Sequence, residues 1–108
     1  MAPDLFQVLG VPTRRRLLQA LRAGERSVGE LVDEVDIDQP GVSKQLRILY
    51  DAGFVTVRQE RQKRFYALRR EPFLELEQWV TEFRLLWTAR FDKLAIHLAR
   101  KKNKKGAN

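Results

Sequence analysis

The sequence predicts a mainly α-helical fold with one small β-hairpin, in the order α-α-α-α-β-β-α. Two observations carry this prediction. Apolar residues recur at spacings of three and four up to Gly53, and again from Pro72 to about residue 100, which is the period of helices that bury one face. Residues 54–68 instead alternate and are rich in β-branched and aromatic types, which is typical of strands.

Composition narrows the class of protein. A chain of 108 residues with 44% hydrophobic residues suits one folded domain. The 21 Lys and Arg against 14 Asp and Glu give a net charge of +7, which indicates an anionic partner such as nucleic acid or a membrane surface. The chain has no cysteine, which excludes disulfides and thiolate metal sites. It shows no secretory signal and no apolar run of ~18 residues, so we expect an intracellular protein.

Two short helices are expected first. Asp4 can cap a helix that Gly10 ends, and Pro12 can open a second helix that Gly24 ends. Three arginines at positions 14–16 fall in the first turn of the second helix, where cations oppose the helix dipole. Either a bound polyanion offsets that cost or the arginines are simply solvated.

A helix-turn-helix follows. Ser27 and Glu30 have the capping-box spacing, and they open a short helix that leads into a turn at residues 36–38. The next helix runs from the N-cap Asp38, through Pro40 in its first turn, to Gly53. A brief turn between two such helices is the helix-turn-helix pattern.

The second of these helices has a polar face opposite its apolar positions. Hydroxyl, amide and cationic side chains near a helix N-terminus can contact base edges and phosphates together. The other interpretation is a core helix with a solvated face. The candidate DNA-binding residues on this helix are Gln39, Ser43, Lys44, Gln45 at the margin, and Arg47.

Residues 54–58 and 64–68 are predicted to form the two strands of a β-hairpin, with a polar tip at residues 59–63. A two-stranded ribbon directly after a recognition helix is the wing of a winged helix. A basic tip there is placed to reach a phosphate or the minor groove, although a solvated tip would look the same. The candidate DNA-binding residues of the wing are Arg58, Arg61, Lys63 and Arg64.

A long last helix is predicted over residues 72–100, roughly 40 Å in length. Its apolar stripe is too long for the core of so small a domain, which favours a dimer interface over packing within one chain. We therefore assign one domain to residues 1–100 and a basic, disordered tail to residues 101–108. The candidate dimer-interface residues are Leu5, Leu9, Leu76, Val80, Phe83, Trp87, Phe91 and Leu94.

Residues that would support catalysis or a cofactor do not stand out. There is no Gly-rich phosphate loop, no nucleophile elbow and no paired His or Cys at metal-ligand spacing. His97 is the only histidine, five residues after Asp92, and these positions do not share a helical face. We expect no enzymatic activity, no cofactor and no metal site.

The chain resembles winged-helix regulators of the ArsR type, over roughly residues 4–98. The motifs that carry the resemblance are VLGVPTRRRLLQALRAGERSVGEL, QPGVSKQLRILYDAGFV and RFYAL. The chain is most similar to the metal-independent branch that includes the sporulation-delay autorepressor type. Gln45 departs from the pattern, because relatives usually have His there, and glutamine pairs well with adenine N6 and N7.

The resemblance implies a homodimeric, autoregulated repressor that binds an inverted-repeat operator in the cytoplasm of a bacterium or archaeon, at the nucleoid. It implies that the recognition-helix residues face the major groove while the wing flanks it. Metal-sensing members use a cysteine cluster where this chain has residues 30–33, without sulfur. A small-molecule or protein effector is compatible with the sequence, which does not identify one, nor the operator.

Two other functions fit the same fold. A winged-helix protein-interaction module would have negligible affinity for DNA at ~150 mM salt. A non-specific or architectural nucleic-acid binder would bind all duplexes similarly, with steep salt dependence. The polar residues of the recognition helix favour the specific regulator.

Overall fold

The computed structural model describes residues 4–106, and their side chains apart from those of residues 91–93, 96 and 100–106. The predicted fold class is confirmed: the chain is mainly helical, with a small antiparallel sheet and a long last helix. The elements in order are α1 (Leu5–Leu9), α2 (Pro12–Ala20), a 3-10 turn (Leu21–Ala23), β1 (Arg26–Ser27), α3 (Val28–Val35), α4 (Gln39–Asp51), β2 (Val55–Glu60), β3 (Lys63–Leu68) and α5 (Glu71–Gly106).

Residues up to Phe73 form one compact unit. Each of α1 to α4 and the sheet contributes apolar side chains to its core, because the three-four spacing of those residues places them on one face of each helix. The ring of Phe73 meets Phe54 edge-on, with centroids 5.8 Å apart. The core comprises Val8, Leu17, Leu18, Ala20, Leu21, Leu31, Val35, Val42, Leu46, Leu49, Phe54, Val55 and Tyr66.

The sheet has three strands in the order β1-β3-β2, all antiparallel. The predicted hairpin corresponds to β2 and β3, but the sequence prediction missed β1. A strand of two residues is too short to show alternation, and β1 is defined only by its pairing with β3, Arg26 with Tyr66 and Ser27 with Phe65. The hairpin tip is also shorter than predicted, because Glu60 pairs with Lys63 and leaves a two-residue loop.

Most predicted helix ends are confirmed. Ser27 and Glu30 form the expected capping box, and Gly53 follows α4 with a φ of 82°, a conformation that glycine adopts without strain. The second helix differs in detail, since its α-helical part ends at Ala20 and a 3-10 turn continues it to Gly24. A tightened last turn is a common way to satisfy terminal carbonyls.

The last helix is longer than predicted. The sequence placed its end near residue 100, whereas α5 continues to Gly106. Lysine favours helix and no proline interrupts residues 101–105, so the first helix-breaking residue is Gly106. The predicted basic tail therefore overlaps the last turns of the helix. From Leu74 onward the helix forms a unit of its own.

Candidate nucleic-acid interface

Asp38 fixes the start of α4. Its carboxylate accepts a hydrogen bond from the Gly41 N–H at 2.9 Å, which satisfies one otherwise free donor of the first turn. A Cβ at position 41 would lie 2.6 Å from Asp38 Oδ1, so glycine allows this close approach. The sequence predicted Asp38 as the cap and missed Gly41, although the D-x-x-G spacing could have indicated it.

The turn that precedes α4 is short. Helix α3 ends at Val35, and Asp36 follows in the left-handed region with a φ of 55°, which Asp tolerates better than most residues. Its N–H donates to the Val32 carbonyl at 3.1 Å. The chain then enters α4 within three residues, as the sequence predicted for a helix-turn-helix.

Four of the five candidate residues on α4 are exposed, namely Gln39, Ser43, Lys44 and Arg47. The last three of these border a groove of about 730 Å³ between α4 and the sheet. The sheet side of the groove includes Val57, Gln59, Arg64 and Tyr66. The structure thus brings the polar face of α4 and part of the wing, strands β2 and β3, to one concave surface.

Five of the six exposed cationic side chains of α4 and the wing form no hydrogen bond or ion pair with the side chains described in residues 4–106. They are Lys44, Arg47, Arg61, Lys63 and Arg64. Exposed cations that no protein carboxylate pairs with are available to an external anion. This arrangement suits phosphate groups.

Arg58 behaves differently from the other wing cations. Its guanidinium donates to both carboxylate oxygens of Glu25, at 3.1 and 2.8 Å, and to Glu60 at 2.7 Å. It also lies over the Phe65 ring, 4.7 Å from the centroid. These carboxylates raise the pKa of Arg58 and neutralise much of its field. Arg58 therefore joins Glu25, the residue before β1, to the wing, and no sequence signal indicates Glu25 as its partner.

The fifth candidate on α4, Gln45, is half-buried and engaged within the protein. Its Oε1 accepts a hydrogen bond from Arg14 Nε at 2.8 Å, across the packing of α2 against α4. A second arginine of the 14–16 group, Arg15, donates to the Leu9 carbonyl at 2.6 Å. Two of these three cations thus have protein acceptors, which provides a structural reason for their place in the first turn of α2.

The candidate dimer residues of α5 are exposed over much of the described helix. Val80, Phe83, Trp87 and Leu94 each expose between 45% and 51% of their surface, while Leu76 is half-buried. The rings of Trp79 and Phe83 contact each other at 4.8 Å. In the first helix, Leu5 and Leu9 are half-buried. The side chain of Phe91, also a candidate, lies outside the described residues.

Neither a metal cluster nor a membrane span is found in the described part of the chain. No group of three or more His, Asp or Glu side chains is arranged there to hold a metal ion. No helix in the same range combines the length and apolar character that crossing a bilayer requires.

Known proteins with similar sequences are regulators of transcription. A family profile described as "Helix-turn-helix domain" matches residues 9–58. The chain is 45% identical over 64 residues to a biofilm growth-associated repressor of Agrobacterium fabrum, covering 59% of this chain and 55% of that protein. It is 26% identical over 80 residues to the transcriptional repressor SdpR of Bacillus subtilis, covering 74% and 89%. The chain thus spans about half the length of the Agrobacterium relative and most of SdpR.

The fold has close counterparts among solved structures. The crystal structure of an ArsR family transcriptional regulator, RHA00566, superposes with a TM-score of 0.69 at 35% identity. The match covers 77% of this chain and 91% of that one. A match over 77% of this chain is longer than the helix-turn-helix alone.

Proposed function

This chain belongs to the ArsR family of transcriptional regulators, and from that premise we propose that it is a dimeric, sequence-specific DNA-binding repressor of an inverted-repeat operator. The observation that carries the proposal is the groove between α4 and the wing, with its exposed cations. Ser43, Lys44 and Arg47 project from the recognition helix and Arg64 from the facing strand. Base-edge donors and phosphate contacts from one surface are what specific recognition needs.

A dimer is supported by the apolar surface of α5. Side chains such as Val80, Phe83 and Leu94 are about half exposed, in a stripe that recurs every three or four residues. A stable protein–protein interface buries ~1,200–2,000 Å² in total. Two such stripes can supply this area when α5 of one protomer packs along α5 of its partner. Two recognition helices related by a two-fold axis would then contact half-sites about 34–36 Å apart, or a multiple of that spacing.

We also propose that the protein does not respond to metal ions. The chain has no cysteine, so thiolate sites cannot form. Its single histidine also provides no His pair for a site with imidazole ligands. On α3, Glu30 closes the capping box by accepting the Ser27 N–H at 3.1 Å, which gives that carboxylate a structural role. Regulation would then come from the amount of protein acting on its own promoter, or from a small-molecule or protein effector.

Selection of bound duplexes from a random pool at physiological salt tests the function directly. We expect an inverted repeat bound by two chains at least ~10³-fold more tightly than random DNA. The selected motif should occur upstream of the protein's own gene if the repressor is autoregulated. Tight but sequence-independent, salt-sensitive binding would identify an architectural binder instead. Absence of DNA binding would contradict the proposal and favour a protein-interaction module.

A further inference from the structure

The contact between Arg14 and Gln45 constrains which atoms of the glutamine can reach DNA. Arg14 Nε lies 2.8 Å from Gln45 Oε1, and Arg14 Nη1 lies 3.4 Å from the Val8 carbonyl oxygen, which ties the guanidinium to α1 as well. Both side chains are half-buried. A guanidinium can only donate hydrogen bonds, so the amide atom that faces it must be the oxygen. The donor character of the guanidinium therefore determines which end of the Gln45 amide faces Arg14.

With its oxygen bound to Arg14, the amide carries Nε2 at its other end. This nitrogen is a donor with two hydrogens and cannot accept. The adenine pairing expected from the sequence needs both ends of the amide on one base edge, since oxygen accepts from N6 while nitrogen donates to N7. Arg14 takes one of the two lone pairs of this oxygen, and its positive charge disfavours the approach of a second donor such as adenine N6, so the pair favours base edges that carry acceptors alone.

We infer that Arg14 is a positioning residue for specificity, and that Gln45 reads guanine in the major groove. Guanine presents two neighbouring acceptors there, O6 and N7, which match a two-hydrogen donor. This inference rests on the proposed function and deepens it, because it names the base pair that one residue selects. It also replaces the adenine preference that the glutamine alone suggests.

Base selection with matched variants tests the inference. The wild type should enrich guanine at one symmetric pair of positions in its motif. Gln45→Glu keeps an oxygen for Arg14 and replaces the donor by an acceptor, so this variant should exchange guanine for cytosine there, with a roughly 10–100-fold loss on the wild-type site. Arg14→Met removes the N–H donors and frees the amide, so adenine should replace guanine at the same position and nowhere else.

Arg15→Met is the control for Arg14→Met. It removes the same charge from the same turn, but Arg15 bonds to the Leu9 carbonyl and not to Gln45. Its base preferences should equal those of the wild type. Thermal unfolding of each variant establishes that it is folded, and if Arg14→Met does not fold, Gln45→Glu carries the test.

The outcomes separate this inference from the proposed function. A wild-type protein that enriches no motif overturns both. A clear motif with adenine at the Gln45 position overturns the inference alone, as does a motif whose base preferences are unchanged by Gln45→Glu. A shift caused equally by Arg15→Met would assign the effect to charge and would also overturn the positioning role.

Discussion

Two helices of this chain, α4 and α5, expose broad surfaces of opposite character. The exposed face of α4 carries Lys44, Arg47 and the polar residues beside them. The exposed face of α5 carries aromatic and aliphatic side chains, including Phe83 and Trp87. Water solvates the first face at little cost and the second at a substantial one. Exposure alone therefore does not identify an interface, and the chemistry of the exposed surface indicates the class of partner.

The largest effect is expected from a charge on the α5 face. Phe83→Asp would place a carboxylate in the proposed dimer seam, where an unpaired buried charge costs about 3 kcal/mol or more. The dimer should therefore weaken by ~100-fold or more, as measured by sedimentation, and operator binding should be lost with it.

Leu85→Asp is the matched control for that change. Leu85 is 66% exposed, and its position two residues further along the helix turns it by about 200° away from Phe83. Its dimer should be as stable as that of the wild type. Equal weakening by both variants would contradict an interface on the Phe83 side.

A smaller effect is expected on the α4 face. Lys44→Ala or Arg47→Ala should weaken operator binding by roughly tenfold and lower the salt slope by about one each, since each cation displaces one counterion from DNA. The fold should be unaffected, because both side chains are exposed. Arg22→Ala removes the same charge from the 3-10 turn and serves as the control. If Arg22→Ala weakens operator binding as much as Lys44→Ala or Arg47→Ala does, then net charge governs binding and the α4 face does not.

The wing allows a finer comparison within the charged region. Arg64→Ala should lower the salt slope by about one, because Arg64 is exposed and has no carboxylate partner among the described side chains. Arg58→Ala should change the slope by less than half as much, since Glu25 and Glu60 already balance its charge. Titrations of both variants over a range of salt concentrations measure this. Equal slopes would mean that DNA displaces the Arg58 partners.

The sequence predicted the helices and the hairpin because their signals are local. Apolar periodicity and capping residues such as Ser27 and Asp38 act within a few positions, so each element can be identified without its neighbours. Strand β1 was missed because its two residues become a strand only through pairing with β3.

Side-chain contacts between residues distant in sequence are the part of the site that the sequence could not predict. Arg58 was assigned to the DNA surface from its charge, but its partner Glu25 lies 33 residues earlier. The helix pattern indicates Gln45 as a base-reading amide at the margin of the polar face, and Arg14 binds it from 31 residues away. Such pairs form only when distant parts of the chain pack together, and no local sequence pattern indicates them. The exposed cations Lys44 and Arg47 were simpler to predict, because helical periodicity alone places them opposite the core.

The smallest effect concerns the Glu25–Arg58 pair and its dependence on pH. The hydrogen bonds from Arg58 lower the pKa of Glu25 below its ordinary value. A carboxylate whose pKa is lowered by folding stabilises the folded state above its unfolded pKa, and this contribution disappears as the pH falls through the folded pKa. Glu25→Gln should therefore slightly lower the unfolding temperature at pH 7, and its difference from the wild type should shrink below about pH 4. Asp33→Asn, which removes an exposed carboxylate on α3 that forms no ion pair among the described side chains, is the control for the loss of a surface charge. A Glu25→Gln difference that stays constant down to acid pH would contradict a charge-dependent role and would show that the residue acts through packing.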